Sequence, residues 1–328
     1  MLNAALLVGA AVPAFAAEPV TIDNFRRAET DYHFKTYVDK GCFGKLCSDR
    51  SPPSVDKQTV IRMNRDTPYS FGVFDLTTPA TIVKPDTGKR FQSMLIINED
   101  QYNPLVAYKA GSYTLTRENM GTRYVAVAMR TFMDPNDPAD VKAAHAAQDA
   151  IKVIQAKPGK FEVPDWDQQQ RAKLSAGLAS LFEFVPDSRD MFGKKDKVNP
   201  ERHLIGTAAG WGGNPLKDAK YIIGAVKQND GKTPYVLTVK DVPIDGFWSI
   251  TVYNDKGYFE APESAISVNN VTGKRNKDGS MTIHFGGDPS SVNYLRIMPG
   301  WNYIVRLYRP RGEILDGRWK FPELAQVR

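Results

Sequence analysis

From Gln58 to Thr131 apolar and polar positions alternate with a period of two, the pattern of half-buried strands. In the stretch IRMNRDTPYSFGVFDL (61–76) and the residue before it, Val60, Arg62 and Asn64 alternate with Ile61 and Met63. Tyr69, Phe71 and Val73 then alternate with Ser70, Gly72 and Phe74. The pattern predicts strands at TVIRMN, YSFGVFDL, ATIVKP, RFQSMLIINED, SYTLT and RYVAVAMRTF, cut by turns at PDTGK and ENMGT. Ahead of them, Phe25, Ala28 and Tyr32 share one helical face, with Thr21 or Asp23 as N-cap and Gly41 past the end.

Behind the strands the period lengthens. Asp137-Pro138-Ala139-Asp140 combines an N-cap with proline at the first helical position, and Val141, Ala144, Ile151 and Ile154 fall near one stripe. A second helix is predicted from Asp167 to Phe184, burying Leu174, Leu178 and Leu181. After KKDKVNPERH the period returns to two in TPYVLTVKDV, GFWSITVYND, SAISVNN, SMTIHFGG and NYIVRLYRP, separated by NDGKT, NDKGYF and NKDGS turns. The expected fold is therefore mainly β with a helical segment: two β-sandwich or jelly-roll-like subdomains joined by a helical subdomain. The boundaries read as a signal peptide at 1–17, an N-terminal helix and disulfide loop at 18–57, and a first β subdomain at 58–136. A helical linker follows at 137–200, and a second β-sandwich at 201–328.

The chain has 328 residues, 42% hydrophobic and 24% charged, enough for one large or two ordinary cores. Its net charge of +6 is spread among interspersed acids and bases, which predicts no nucleic-acid partner. The N-terminus changes the picture more. An apolar run from Ala4 to Val12 precedes Ala14-Phe15-Ala16, a small-x-small cleavage signature. No Lys or Arg stands ahead of the run, which points to a start upstream of Met1. The run is too short to span a bilayer, and no other stretch approaches 18 apolar residues, so no stable membrane insertion is expected. A periplasmic or secreted location follows. There Cys42 and Cys47, in CFGKLC, can close a disulfide loop worth about 2 kcal/mol.

The inventory of catalytic motifs is mostly negative. There is no G-x-S-x-G elbow. Gly231-Lys232-Thr233 resembles the end of a P-loop, but Val226 holds the place of its first glycine, and Asp230-Gly231 reads as a hairpin turn. GTAAGWGGNP (206–215) lacks dinucleotide-binding spacing and reads as close backbone packing. His33, His145, His203 and His284 stand far apart, so neither a metal nor a cofactor is predicted. Trp248, Tyr253, Tyr258, Trp301, Tyr303, Tyr308 and Trp319 crowd the last 81 residues, as a sandwich core or as an aromatic-lined pocket. In NYIVRLYRP, Val305 and Leu307 face one way, and Arg306 faces the other with Ile304 and Tyr308. A guanidinium among apolar neighbours calls for a carboxylate partner.

Six ordered stretches carry a resemblance: NRDTPYSFGVFDL, KPDTGKRFQSMLIINED, HLIGTAAGWGGNP, VPIDGFWSITVYNDKGYF, NKDGSMTIHFGG and PGWNYIVRLYRPRGEILDGRWKFPE. Together they resemble the bacterial proteins that pair two domains of unknown function, twelve-fifty-four at the N-terminus and twelve-fourteen at the C-terminus. The resemblance spans nearly all of the chain behind the leader and implies two all-β subdomains joined by a helical one. It implies no fixed activity, since some relatives carry a carboxylesterase label and a jelly-roll likeness suggests carbohydrate binding in others. Relatives often show a cysteine-bearing GGC…NCLP segment. Here GGDPSSVNYLRIMPGW stands instead, with Asp288 and Tyr294, so no disulfide or chemistry carries over to that segment.

The corner Asn64-Arg65-Asp66-Thr67-Pro68 holds the sharpest candidate chemistry. It reads either as a clasp that caps strand ends or as a site at the seam of the two β halves. In the second reading Asp66 is general acid or base, Tyr69 a hydrogen-bond donor and Arg306 an anion stabiliser, with Asn64, Arg65, Trp248 and Tyr308 holding the ligand. Asp66, Arg65 or Arg62, and Arg306 are expected to form one charge network across the halves. The leading function is binding of a small apolar or carbohydrate-like ligand between the β halves. A hydrolase without a known nucleophile motif and a structural envelope protein are the alternatives, and the oligomeric state is left open.

Overall fold

A computed structural model describes residues 17–58 and 62–327. The apolar run of the expected signal peptide, and Thr59–Ile61 of the first expected strand, lie outside the described residues. The first half contributes strands β1 (Cys47–Ser48), β2 (Tyr69–Asp75), β3 (Ala80–Lys84), β4 (Gln92–Asn98), β5 (Leu105–Ala107), β6 (Gly111–Leu115), β7 (Tyr124–Thr131) and β8 (Lys152–Gln155). The second contributes β9 (Ala219–Gly224), β10 (Tyr235–Val239), β11 (Trp248–Tyr253), β12 (Ser267–Asn269), β13 (Met281–Phe285), β14 (Tyr294–Leu295), β15 (Asn302–Tyr308) and β16 (Ala325–Gln326). Helices are α1 (Phe25–Asp39), α2 (Arg117–Met120), α3 (Pro138–Asp149), α4 (Gln168–Ser180), α5 (Pro200–Ala209) and α6 (Gly312–Leu315). The described residues are mainly β, in four open sheets. No helix among the described residues is long and apolar enough to cross a membrane.

In the first half, a sheet of order β1-β2-β7-β4-β5 is antiparallel throughout, with Tyr69 opposite Arg130 and Gln92 opposite Thr131. Strict alternation gives it two apolar faces. Phe71, Val73, Leu95 and Ile97 pack on Phe34 of α1, while Phe74, Met94, Ile96 and Val127 pack with Ile82 and Leu115 of the sheet β6-β3-β8. The Cys42–Cys47 disulfide is formed, and its loop crosses β2 at Gly72, where a Cβ would stand 2.1 Å from the Lys45 carbonyl oxygen. Only glycine fits there.

The helical reading holds for α3 and α4 and is corrected at the C-terminal end of each. Asp137 caps α3 by accepting from the Ala139 amide, ahead of Pro138, as predicted. The helix stops at Asp149, however, and Ile154 turns to solvent on β8, where the chain pairs with β3 instead of extending the apolar stripe. In α4, capped by Asp167, Leu178 is buried but Leu181 is exposed. This helix joins α1 and α5 around Phe25, Ala28, Trp166 and Leu204.

In the second half the sheets β14-β13-β10-β16 and β12-β11-β15-β9 share one core. Trp248, Ile250, Val252, Val305, Leu307, Phe285 and Trp301 fill it, so the core reading of the aromatics applies to both tryptophans. The other face of β11 and β15 turns toward the first half. There Phe91 and Phe132 meet Tyr221, Phe247 and Tyr308, and Val55 and Met63 meet Tyr253, Phe259 and Ile304. That seam holds the predicted site.

Candidate functional site

The corner before β2 is a loop rather than a strand end. Arg62 takes a left-handed conformation (φ 54°), and its amide donates to the Gly257 carbonyl at 2.7 Å, tying the corner to the second half. The Asn64 amide group then braces the turn: its Oδ1 accepts from the Asp66 amide at 2.8 Å, and its Nδ2 donates to Thr67 Oγ1 at 2.7 Å. This places the buried Asp66 carboxylate across the seam, where Ser249 Oγ donates to it at 2.5 Å and Ser267 Oγ at 3.5 Å.

Arg306 enters the same seam from β15, directly opposite Ser249 of β11. It donates to Tyr253 Oη at 2.7 Å, Thr251 Oγ1 at 3.0 Å, and the carbonyls of Arg62 and Met63 at 2.9 and 3.2 Å. The expected partnership with a carboxylate is therefore corrected: neutral oxygens take every one of these bonds. The single charge network is corrected likewise. Asp66 forms no ion pair among the described residues, and Arg65 turns away to Glu263 at 3.0 Å, with its guanidinium over the Phe259 ring. Neutral dipoles satisfy the buried charges because the chain brings hydroxyls and carbonyls closer to them than they come to one another.

Tyr69 sits at the start of β2 beside Arg130 of β7, whose Nε donates to its hydroxyl oxygen at 3.0 Å. Arg130 also donates to Asn214 Oδ1 at 3.2 Å and the Gly212 carbonyl at 3.3 Å, and the glycine-rich stretch 206–215 packs closely, since a Cβ at Gly206 would stand 2.2 Å from Met191 and one at Gly213 2.5 Å from Phe192. Tyr308 stacks on Phe247. Trp248 is not part of the cluster, since it lies on the core face of β11 against Phe321.

Burial pushes the Asp66 carboxyl up, against the pull of Arg306, Ser249, Ser267 and Arg65, and leaves it raised. Burial also pushes the Tyr69 phenol up, but the charge and hydrogen bond of Arg130 bring it below its ordinary value. For Tyr308, burial and the charge of Asp66 act together, and the phenol is raised strongly. A serine hydroxyl against a carboxylate is a nucleophile–base geometry. Here Ser249 has no exposed surface, and Asp66 and Arg306 have 3% each.

Sequence reading misses Ser249, Thr251, Ser267, Tyr221, Arg130 and Asn214, and places Tyr253 only among the aromatics of a core or pocket. The available signal was the polar alternation Ser249, Thr251, Tyr253 against Ile250 and Val252 on one strand. Such a face ordinarily meets water, and here it meets the other half of the molecule.

A second polar cluster lines an open cleft of about 450 Å³ between α1, the segment after β4, the start of β7 and residues 162–166. Asp31 of α1 lies on its floor. Its Oδ2 accepts from Trp166 Nε1 at 2.8 Å, while its Oδ1 is buried without a hydrogen-bond partner among the described residues. Beside it, Glu99 accepts from the Tyr124 amide at 2.9 Å and stands 3.7 Å from Arg27, which binds Asp100 more closely, at 2.6 Å. Burial first, then Glu99 and Asp100, push Asp31 up to about 7, while Trp166 and Arg27 pull the other way. On the rim Arg123 is held by Asp75 and Glu162, whereas the exposed Arg117 side chain forms no ion pair or hydrogen bond among the described residues. A further cleft, of about 480 Å³, is lined chiefly by Val20, Ile22, Leu174, Leu178 and Leu181.

Comparison with known proteins bears on the fold and the family. No curated protein matches the sequence. A crystal structure of a Vibrio parahaemolyticus protein superposes with a TM-score of 0.72 at 18% identity, covering 94% of this chain and 100% of the other. A crystal structure of an uncharacterized protein from Burkholderia cenocepacia has a TM-score of 0.53 at 15% identity, covering 94% and 87%. At such identities the likeness is one of fold. Residues 43–155 match the model of a protein of unknown function, DUF1254, and residues 224–312 match that of another, DUF1214. The chain pairs a DUF1254 domain with a following DUF1214 domain, as the proteins it resembles in sequence do.

Proposed function

We propose that the protein is exported and binds a small polar molecule in the Asp31 cleft. One observation carries this reading: a buried carboxyl oxygen without a partner, on the floor of a cleft large enough for a small ligand. The small-x-small signature and the Cys42–Cys47 disulfide support an oxidising, extracytoplasmic setting. A ligand between the β halves, apolar or carbohydrate-like, has less support, because Phe91, Phe132, Phe247 and Tyr308 already pack on one another there. The seam serves as the joint that holds the two halves.

A thermal-shift screen of the chain from Ala17 onward, against sugars, amines, amino acids, aromatic acids and esters, tests the reading. A true ligand at a hundredfold excess over its Kd stabilises by about 2.7 kcal/mol, and Asp31→Asn should abolish that shift. A screen without any stabilising compound would leave the structural envelope role in its place.

One contact favours a second reading, that of a hydrolase: Ser249 Oγ against Asp66 at 2.5 Å, with Arg306 on the adjacent strand. It requires the seam to open, because both groups of that pair are buried. Ester hydrolysis that is lost in Ser249→Ala while the fold survives would establish it.

A further inference from the structure

We infer that the cleft takes a small zwitterion, with its ammonium against Asp31 and its anionic end against Arg117. This rests on the reading that the cleft is the binding site. The floor carries two buried carboxyls, Asp31 and Glu99, and Arg27, the cation nearest to them, is committed more closely to Asp100. The groups that face Asp31 are Arg27 on its own helix, Glu99 and Asp100 after β4, and the Trp166 indole; acids outnumber the single cation. On the rim Arg123 is committed to both Asp75 and Glu162, and Arg117 is the guanidinium without a counter-charge among the described residues.

A lone anion would meet Asp31 and Glu99 on the floor, and a lone cation would leave Arg117 without a counter-charge. A neutral polyol could donate to Asp31 Oδ1 but would leave both charges uncompensated. A molecule with both charges satisfies floor and rim together, and about 450 Å³ lies within the size range of small-ligand sites. An ammonium pairs with the ionised form of Asp31, so binding should release a proton near neutral pH and tighten as pH rises.

The test is titration calorimetry on the chain from Ala17 onward with glycine, β-alanine and γ-aminobutyrate, and with propylamine, butyrate and glucose as controls. At pH 8 at least one zwitterion should bind tenfold or more tightly than the amine or the carboxylate alone. Its affinity should fall about tenfold at pH 6, where the binding-competent ionised form is the minor one. Asp31→Asn and Arg117→Ala should each weaken binding at least tenfold. Arg117 is exposed, so that variant carries the test even if Asp31→Asn folds poorly. Tighter binding of propylamine, butyrate or glucose that depends on Asp31, or a zwitterion affinity independent of pH or of Arg117, overturns the ligand class and leaves the cleft as the site. No binding by any probe, with no compound in the wider screen sensitive to Asp31→Asn, overturns the site itself.

Discussion

Asp66 at the seam and Asp31 in the cleft are equally hidden from water, and burial is the largest influence raising both carboxyls. Their surroundings differ. Asp66 receives two serine hydroxyls, and the charges of Arg306 and Arg65 pull its carboxyl down against burial. Asp31 receives one indole N–H, and Glu99 and Asp100 push in the same direction as burial. Depth alone therefore does not separate a structural joint from a binding site. Completion of the polar shell does, since a buried group left short of partners keeps a free-energy cost that a ligand can relieve.

If Asp66 belongs to a joint, the heaviest blow to it is Arg306→Leu. That change removes the donor shared by Thr251, Tyr253 and the Arg62 and Met63 carbonyls, together with the charge nearest in effect to Asp66. Breaking one side of a buried polar arrangement of this kind costs about 3–5 kcal/mol. Urea unfolding should show a lower midpoint at constant slope. A loss under about 1 kcal/mol would mean that the seam does not hold the halves together.

Asp31→Asn should act in the opposite sense. With its folded value raised from 3.8 to about 7, Asp31 keeps its proton in the folded chain at pH values where the unfolded chain has lost it. Stability from this group is therefore complete below the unfolded value, falls as pH rises toward 7, and stays low above it. The neutral isostere escapes that loss. Asp31→Asn should stabilise the protein at pH 8, by at most about 4 kcal/mol for a shift of this size, and by almost nothing at pH 4. Melting curves at the two pH values check it, and equal shifts at both would refute the titration.

Ser249→Ala probes the shell of Asp66 from the other side. A hydrogen bond to a charged, buried acceptor contributes about 1.5–3 kcal/mol, so chemical denaturation should show a loss in that range. A neutral outcome would put Asp66 in the same class as Asp31.

How much of this contrast could be read from the sequence depends on distance along the chain. The outward placement of Arg306, opposite Val305 and Leu307, follows from strand alternation alone and is found. The Asn64 clasp is local too, spanning four residues from Asn64 to Thr67, and so is the disulfide loop. The partners of Arg306 were not legible. Period two places Arg62 and Met63 on a strand, whereas the left-handed turn at Arg62 that presents their carbonyls is fixed by Gly257, far along the chain. Tyr221 was missed because AKYIIG (219–224) is short and follows a helix and glycines, yet it pairs with β15 along its whole length. Asp31 carries no local signal on its helix, and its side-chain partner among the described residues is Trp166, 135 residues away. Tertiary contact decided these places against local pattern.

The smallest expected effect separates the two oxygens of Asp66. Ser249 donates to Oδ2 at 2.5 Å, whereas Ser267 reaches Oδ1 at 3.5 Å, the outer limit of a hydrogen bond, and is itself within 3.2 Å of Thr251 Oγ1. Thr251 is in turn bound by Arg306, so Ser267 touches the joint mainly through the hydroxyl chain on β11 and β12. Ser267→Ala should then cost about 0.5–1 kcal/mol, the lower end for a neutral hydrogen bond. In the double variant with Ser249→Ala the two losses should fail to add by a few tenths of a kcal/mol or more, because both hydroxyls share one carboxylate. Strict additivity would mean that Ser267 serves Thr251 alone. Asp66 Oδ1 would then be as poorly partnered as Asp31 Oδ1, and the seam would offer a ligand an incomplete shell just as the cleft does.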